Sequence, residues 1–119
     1  KVRVRRISGA VDIGPMVNPS IVDAQIRGGI IFGLSQTLWG EITIENGKVT
    51  QKNFNDYRAL RINECPVIEV DIIASDEPRE GVGEPGVPPV APAVANAIFA
   101  ATGQRLRSLP LRLTSEGAV

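Results

Sequence analysis

The stretch Gly81-Val82-Gly83-Glu84-Pro85-Gly86-Val87-Pro88-Pro89 holds one carboxylate among three glycines and three prolines. Proline suits the second position of a tight turn, and glycine suits a third position at which φ must be positive. We therefore predict a type II turn from Glu84 to Val87. A carboxylate held on such a turn, and partly buried there, could be a general base with a raised pKa. The alternative interpretation is an exposed turn residue without a chemical role.

The composition of the whole chain narrows the possible functions. With 43% hydrophobic and 22% charged residues, residues 1–119 fit a single domain with one modest core. The formal net charge is zero, which does not favour nucleic acid or an anionic membrane as a partner. There is no histidine and one cysteine, Cys65. This excludes an internal disulfide, Ser-His and Cys-His catalysis, and histidine-ligated zinc.

The longest predicted helix runs from about Pro19 to Trp39, with Asn18 as its N-cap and proline at its first position. It contains three glycines, and each costs about 1 kcal/mol relative to alanine. Something should therefore compensate for them. At helical spacing, one face carries Gln25, Gly29, Gly33 and Gln36. We expect this face to be a shallow groove against which another backbone or a flat ligand lies, with close packing on a sheet as the alternative.

The remaining pattern predicts an α+β fold, with a mixed or antiparallel sheet and two main helices packed on it. Alternating apolar residues predict strands near both ends, and Asn46-Gly47 between two alternating runs is typical of a two-residue hairpin. The first predicted elements are one or two strands within 2–13, broken at Gly9. The hairpin over 41–50 and a strand over 67–74 follow the long helix. The last two are a helix that begins by Pro92 and is capped by Gly103, with Val94, Ile98 and Ala101 inside, and a strand over 106–113 interrupted at Pro110.

Gly81, Gly83 and Gly86 also match the G-x-G-x-x-G pattern of dinucleotide-binding folds. That fold needs an acidic residue about 20 positions further on to bind the ribose. No Asp or Glu occurs from Pro85 to Ser115, and the three prolines remove backbone donors that would hold a pyrophosphate. We therefore do not expect a nicotinamide or flavin dinucleotide here.

Taken together, several segments resemble the C-terminal part of the molybdopterin-binding large subunit of molybdenum hydroxylases, the xanthine oxidase and aldehyde oxidase family. The similarity is closest to its isoquinoline oxidoreductase and aldehyde dehydrogenase branch. The segments that carry it are Val11-Asp12-Ile13-Gly14 with Asn18-Pro19, Ala24-Gln25-Ile26-Arg27-Gly28-Gly29 with Gly33, and Gly81 to Pro89, with Pro92 to Ala97 and Arg107 to Leu111 indicating the branch. The resemblance implies that the chain is a C-terminal fragment of a longer subunit.

The resemblance also implies roles for individual residues. The glutamate of the family's Gly-Glu-Pro motif, here Glu84, is the catalytic base that takes a proton from a molybdenum-bound hydroxyl or water. Gln25 and Gly83 would contact the cofactor, while no metal ligand need come from this chain. The substrate would be an N-heteroaromatic ring or an aldehyde.

Cofactor and partners follow from the same resemblance. We expect molybdopterin with molybdenum, in the cytosine dinucleotide form, in the full-length protein and none bound to the fragment, which would be inactive alone. Its partners would be the rest of the large subunit and an iron–sulfur small subunit, because one cysteine cannot hold a cluster. Two fragments could associate through the face with Gln25 and Gly29. A periplasmic or membrane-associated location fits the branch, and a cytoplasmic one stays open. The competing function is a non-catalytic α+β binding or assembly module.

Overall fold

The computed structural model describes residues 2–114 and has the predicted α+β architecture. Its strands form two separate two-stranded sheets, one parallel and one antiparallel. The elements in chain order are β1 (Arg6–Asp12), α1 (Pro19–Trp39), β2 (Ile44–Glu45), β3 (Lys48–Val49), a single 3-10 turn (Ile62–Glu64), β4 (Val67–Ile73) and α2 (Val90–Thr102). Helix α1 packs against β4, and α2 packs against α1.

Strands β1 and β4 pair in parallel, from Arg6 opposite Val67 to Asp12 opposite Ile73. The ladder passes through Gly9, which lies opposite Val70, so the predicted break at Gly9 is wrong. Glycine weakens a strand, but it keeps the backbone N–H and C=O that the ladder uses. A parallel pair needs a long crossover connection, and here that connection contains α1.

Helix α1 has the predicted bounds, because its first turn is capped as the sequence indicates. The Asn18 side chain accepts a hydrogen bond from the Ile21 N–H at 3.2 Å, and Pro19 occupies the first helical position. Both helices contribute one side to a shared core. Its buried members are Ile13, Val22, Ile26, Ile30, Leu34, Val90, Val94, Ile98 and Leu111. None of the helices within residues 2–114 is long and apolar enough to span a bilayer.

The predicted features of the hairpin and of α2 are confirmed, with one exception. Asn46 and Gly47 have φ values of 50° and 75°, as a type I′ turn between β2 and β3 requires. Gly103 closes α2 in the left-handed conformation, with φ of 75°. Ala101 was predicted to face inward, but it is exposed, because it lines an open groove beside the N-terminal segment.

The predicted last strand over residues 106–113 is wrong. Pro110, the predicted interruption, lacks the N–H that a strand ladder would need. The Leu111 N–H instead donates to the carbonyl oxygen of Thr37 at 2.8 Å, near the end of α1. Leu111 is buried, so the alternating leucines cover one end of the core without forming a strand.

Candidate functional site

The predicted turn at Glu84 exists, but it is not of type II. The Val87 N–H donates to the Glu84 carbonyl oxygen at 2.8 Å, which closes a four-residue turn. Among residues 2–114, the glycines with positive φ are Gly14, Gly47 and Gly103. Gly86 is therefore not in the conformation that a type II turn demands of its third residue.

Gly86 is needed for close approach instead. It is buried, and a Cβ atom added to it would lie 2.5 Å from the Ile26 carbonyl oxygen, inside any allowed contact. A Cβ at Gly29 would lie 3.2 Å from the Gly86 Cα, and one at Gly33 would lie 2.8 Å from the Val87 carbonyl oxygen. The groove predicted on α1 is therefore real, and the backbone of the turn fills it. This packing offsets the helix-propensity cost of two of the three glycines.

The segment that leads to the turn is tied to the end of β1. The Glu80 N–H donates to the Ile13 carbonyl oxygen at 3.0 Å. Gly14 has φ of 68°, and a Cβ there would lie 2.4 Å from the Glu77 carbonyl oxygen. The backbone just after β1 thus fixes the path of the chain four residues before Glu84.

Asp12 stabilises this junction. Its Oδ1 accepts hydrogen bonds from the Ser75 hydroxyl at 2.5 Å and from the Gly14 N–H at 3.1 Å. These bonds, that of Ser75 first, hold the pKa of the Asp12 carboxyl below its ordinary value. The ends of β1 and β4 are joined through this one side chain.

A pocket of about 460 Å³ lies where the turn meets α1. Its lining residues are Gln25, Gly28, Gly29, Phe32, Gly83, Glu84, Val87 and Pro88. The three residues predicted for the site, Gln25, Gly83 and Glu84, thus line one pocket although about 60 positions separate the first from the other two. Glu84 is exposed, so the partial burial expected for it is not provided by residues 2–114.

The predicted helix face divides into two ends with different surroundings. Gln36 lies outside this pocket, and its Oε1 accepts a hydrogen bond from the Tyr57 hydroxyl at 3.0 Å.

Sequence reasoning missed two pocket residues, Gly28 and Phe32. They follow Gln25 at three and seven positions, the spacing of one helix face, and this signal was available in the sequence.

Residues 1–66 match the family model described as a molybdopterin cofactor-binding domain. This match covers more than half of the chain, and it includes all of α1. The chain belongs to the molybdopterin cofactor-binding domain family.

Two curated relatives of this molybdopterin cofactor-binding domain cover nearly all of it. It is 43% identical to the isoquinoline 1-oxidoreductase subunit beta of Brevundimonas diminuta, over 92% of this chain and 14% of that protein. It is 40% identical to the membrane-bound aldehyde dehydrogenase (pyrroloquinoline-quinone) of Gluconacetobacter polyoxogenes, over 93% of this chain and 14% of that protein. The chain therefore spans about one seventh of the length of each relative.

The fold also has a solved counterpart. It is similar to quinoline 2-oxidoreductase from Pseudomonas putida 86, with a TM-score of 0.78 and 28% identity over 91% of this chain and 15% of that one. The predicted molybdenum hydroxylase family is thus confirmed. Within residues 2–114, no three His, Cys, Asp or Glu side chains gather as a metal site would require.

Proposed function

We propose that this chain is the C-terminal part of the catalytic subunit of a molybdenum hydroxylase, with Glu84 as its general base. The observation that carries the proposal is the meeting of Glu84, Gly83 and Gln25 around one pocket. The substrate class we propose is an N-heteroaromatic ring or an aldehyde. The names of the two relatives, an isoquinoline oxidoreductase subunit and an aldehyde dehydrogenase, support these two classes.

The three predicted site residues have distinct tasks in this proposal. Gln25 carries an exposed amide that can both donate to and accept from a polar heterocycle, so we assign it to the cofactor. A Cβ at Gly83 would meet no atom of the chain within 4 Å, so its bare backbone leaves room for the cofactor beside Glu84. When bound, the molybdenum cofactor supplies the two-electron oxidation of the substrate; we propose its cytosine dinucleotide form.

Glu84 accepts a proton from the oxygen nucleophile that attacks the substrate. A general base must be held within hydrogen-bond reach of its proton donor, and its support must be rigid. Here the support is backbone packed on backbone, because the Glu84–Val87 turn lies in the groove of α1. Glu84 lines the pocket at the edge of this support.

The rest of the proposed subunit must cover the pocket, because Glu84 and Gln25 are both exposed in this chain. Excluding water strengthens electrostatic interactions in a site, so we expect the isolated chain to be inactive. The partners we propose are the remainder of the large subunit and an iron–sulfur small subunit. The single cysteine, Cys65, cannot supply the ligands of a cluster.

The test is Glu84→Gln in the complete subunit, because glutamine keeps the shape of the side chain and removes the base. We expect the turnover number to fall by about 10²–10⁴-fold while molybdenum and pterin contents stay normal. Glu80→Gln is the matched control, since Glu80 is exposed, lies four residues earlier and does not line the pocket. A loss of less than about tenfold in Glu84→Gln would remove the base assignment.

One further outcome would favour the competing interpretation. The name of one relative includes pyrroloquinoline quinone, whereas the matching family model describes molybdopterin. Metal analysis and pterin fluorescence of the purified complete subunit show whether it contains molybdopterin. A subunit that contains no molybdopterin would leave the chain as a binding or assembly module without this chemistry.

A further inference from the structure

Gly28 differs from the other two glycines in the middle of α1. Gly29 and Gly33 are required by the backbone of the turn that packs on them. A Cβ at Gly28 would meet no atom of the chain within 4 Å, and its φ is not positive. Alanine would be the better helix former at this exposed position. The folding of this chain therefore gives no reason for glycine at position 28.

The surroundings of Gly28 indicate why a side chain is absent at this position. Gly28 lines the pocket, with Gln25 nearly one turn before it and Phe32 about one turn after it on the same helix. Phe32 is 58% exposed and lines the same pocket. Over roughly 10 Å of helix, one face thus presents an amide, a strip of bare backbone and an aromatic ring.

We propose that Gly28 is a clearance position for the cofactor: its bare backbone lets the flat pterin ring system lie against α1 between Gln25 and Phe32. This inference rests on the proposed function, because it assumes that the pocket holds the molybdenum cofactor. Gln25 supplies hydrogen bonds at one end of the strip. Phe32 supplies an apolar wall at the other, where aromatic rings pack by their edges or with offset faces.

A ring system of this kind needs the clearance because it must reach van der Waals contact with the helix backbone over a wide area. A methyl group at position 28 would hold the ring away from the backbone, and a longer side chain would fill the strip. Glu84, which lines the same pocket, would then meet a displaced group. The same substitutions create no clash within the chain. The stability of the folded chain should therefore rise, while its affinity for the cofactor should fall.

The experiment uses Gly28→Ala and Gly28→Gln, both of which replace glycine by a good helix former. In the 119-residue chain, we expect Gly28→Ala to raise the melting temperature by about 4 °C. In the complete subunit, we expect the molybdenum and pterin contents per subunit to fall, by at least about tenfold for glutamine and less for alanine (tenfold is about 1.4 kcal/mol of binding). Ala24→Gln is the control, because Ala24 is exposed one turn earlier and does not line the pocket.

Two results would overturn the inference. One is a normal cofactor content in Gly28→Gln. The other is a lowered melting temperature of Gly28→Ala, or loss of the complete subunit itself, since either would show that glycine serves protein packing. The assignment of Glu84 as the base is tested independently, because Glu84→Gln is judged by its turnover at normal cofactor content. A wild-type subunit without molybdopterin would contradict both the base assignment and the role of Gly28.

Discussion

Two regions of the molecule differ in how much of their surface this chain covers. One is the contact between the Glu84–Val87 turn and α1, and the other is the two-stranded β1–β4 sheet. Gly86 is buried against α1, so the first contact is closed within the chain. Within residues 2–114 the sheet has two parallel strands, and Val67 and Ile73 at the ends of β4 are 55% and 48% exposed. Parallel sheets are ordinarily covered on both faces. The backbone support of Glu84 is therefore formed within this chain, whereas parts of the sheet stay uncovered by residues 2–114.

Of the substitutions that test this difference, Gly86→Ala is expected to change the free energy of unfolding most. Its methyl group would meet backbone atoms of α1, which cannot rotate away, so we expect a loss of about 3 kcal/mol in the free energy of unfolding. Urea denaturation followed by circular dichroism measures it. In Gly81→Ala, the control, the new methyl meets nothing within 4 Å, and the change should stay within about 0.5 kcal/mol. Equal stability of the two variants would mean that the turn does not sit in the groove.

Gly33→Ala should have a smaller effect of the same sign. The added methyl lies 2.8 Å from the Val87 carbonyl oxygen and 3.1 Å from Cγ2 of Val90. Overpacking of about 2–3 kcal/mol is partly offset by a gain of about 1 kcal/mol in helix propensity, so we expect a net loss of 1–2 kcal/mol. The same denaturation assay applies. A stabilised variant would contradict the close packing of α1 on the turn.

Val67→Thr probes the sheet, because threonine has nearly the same shape but carries a hydroxyl. In this chain the side chain is 55% exposed, so we expect a change within about 0.5 kcal/mol. In the complete subunit we propose that other segments cover the sheet, and there the loss should reach about 1 kcal/mol. Differential scanning calorimetry of both forms gives the comparison. Equal changes in both would mean that the end of β4 stays exposed.

The smallest effect is a pH dependence at the junction of the sheet and the site. Ser75 and Gly14 lower the pKa of Asp12 on folding, so its stabilisation is present above the unfolded pKa. It is lost as the pH falls through the lower, folded value. The urea midpoint of wild type should therefore fall more between pH 6 and about pH 3 than that of Asp12→Asn. Parallel curves would show that the Asp12 charge is not linked to folding.

Sequence patterns predicted the elements whose ends have a local chemical cause. Asn18 and Pro19 define the start of α1, and Asn46-Gly47 defines the hairpin. Gly86 shows where such reasoning stops. A glycine can serve positive φ or close approach, and only the position of Ile26, 60 residues earlier, decides between them. The last strand failed for the same reason, since the partner of Leu111 is Thr37 in α1.

The site was partly predictable for a different reason. Glu84 was singled out from its turn and Gln25 from the helix face, whereas Gly83 and the roles of all three came from the family resemblance. The structure brings the three residues to one pocket. Their catalytic and cofactor-binding roles stay predictions. Gly28 and Phe32 were missed because the predicted face was centred on Gly29 and Gly33. Both of these glycines pack against the turn, and Gly29 lines the pocket as well.

The long separation between α1 and its turn has a consequence for biosynthesis. Gly86 leaves the ribosome 60 residues after Ile26, the residue whose backbone it touches. At about 5–20 residues per second, the grooved side of the helix is made roughly 3 to 12 seconds before its cover. A nascent chain in that interval displays an unpaired helical surface, and this is the stage at which a holding chaperone would have the most to protect.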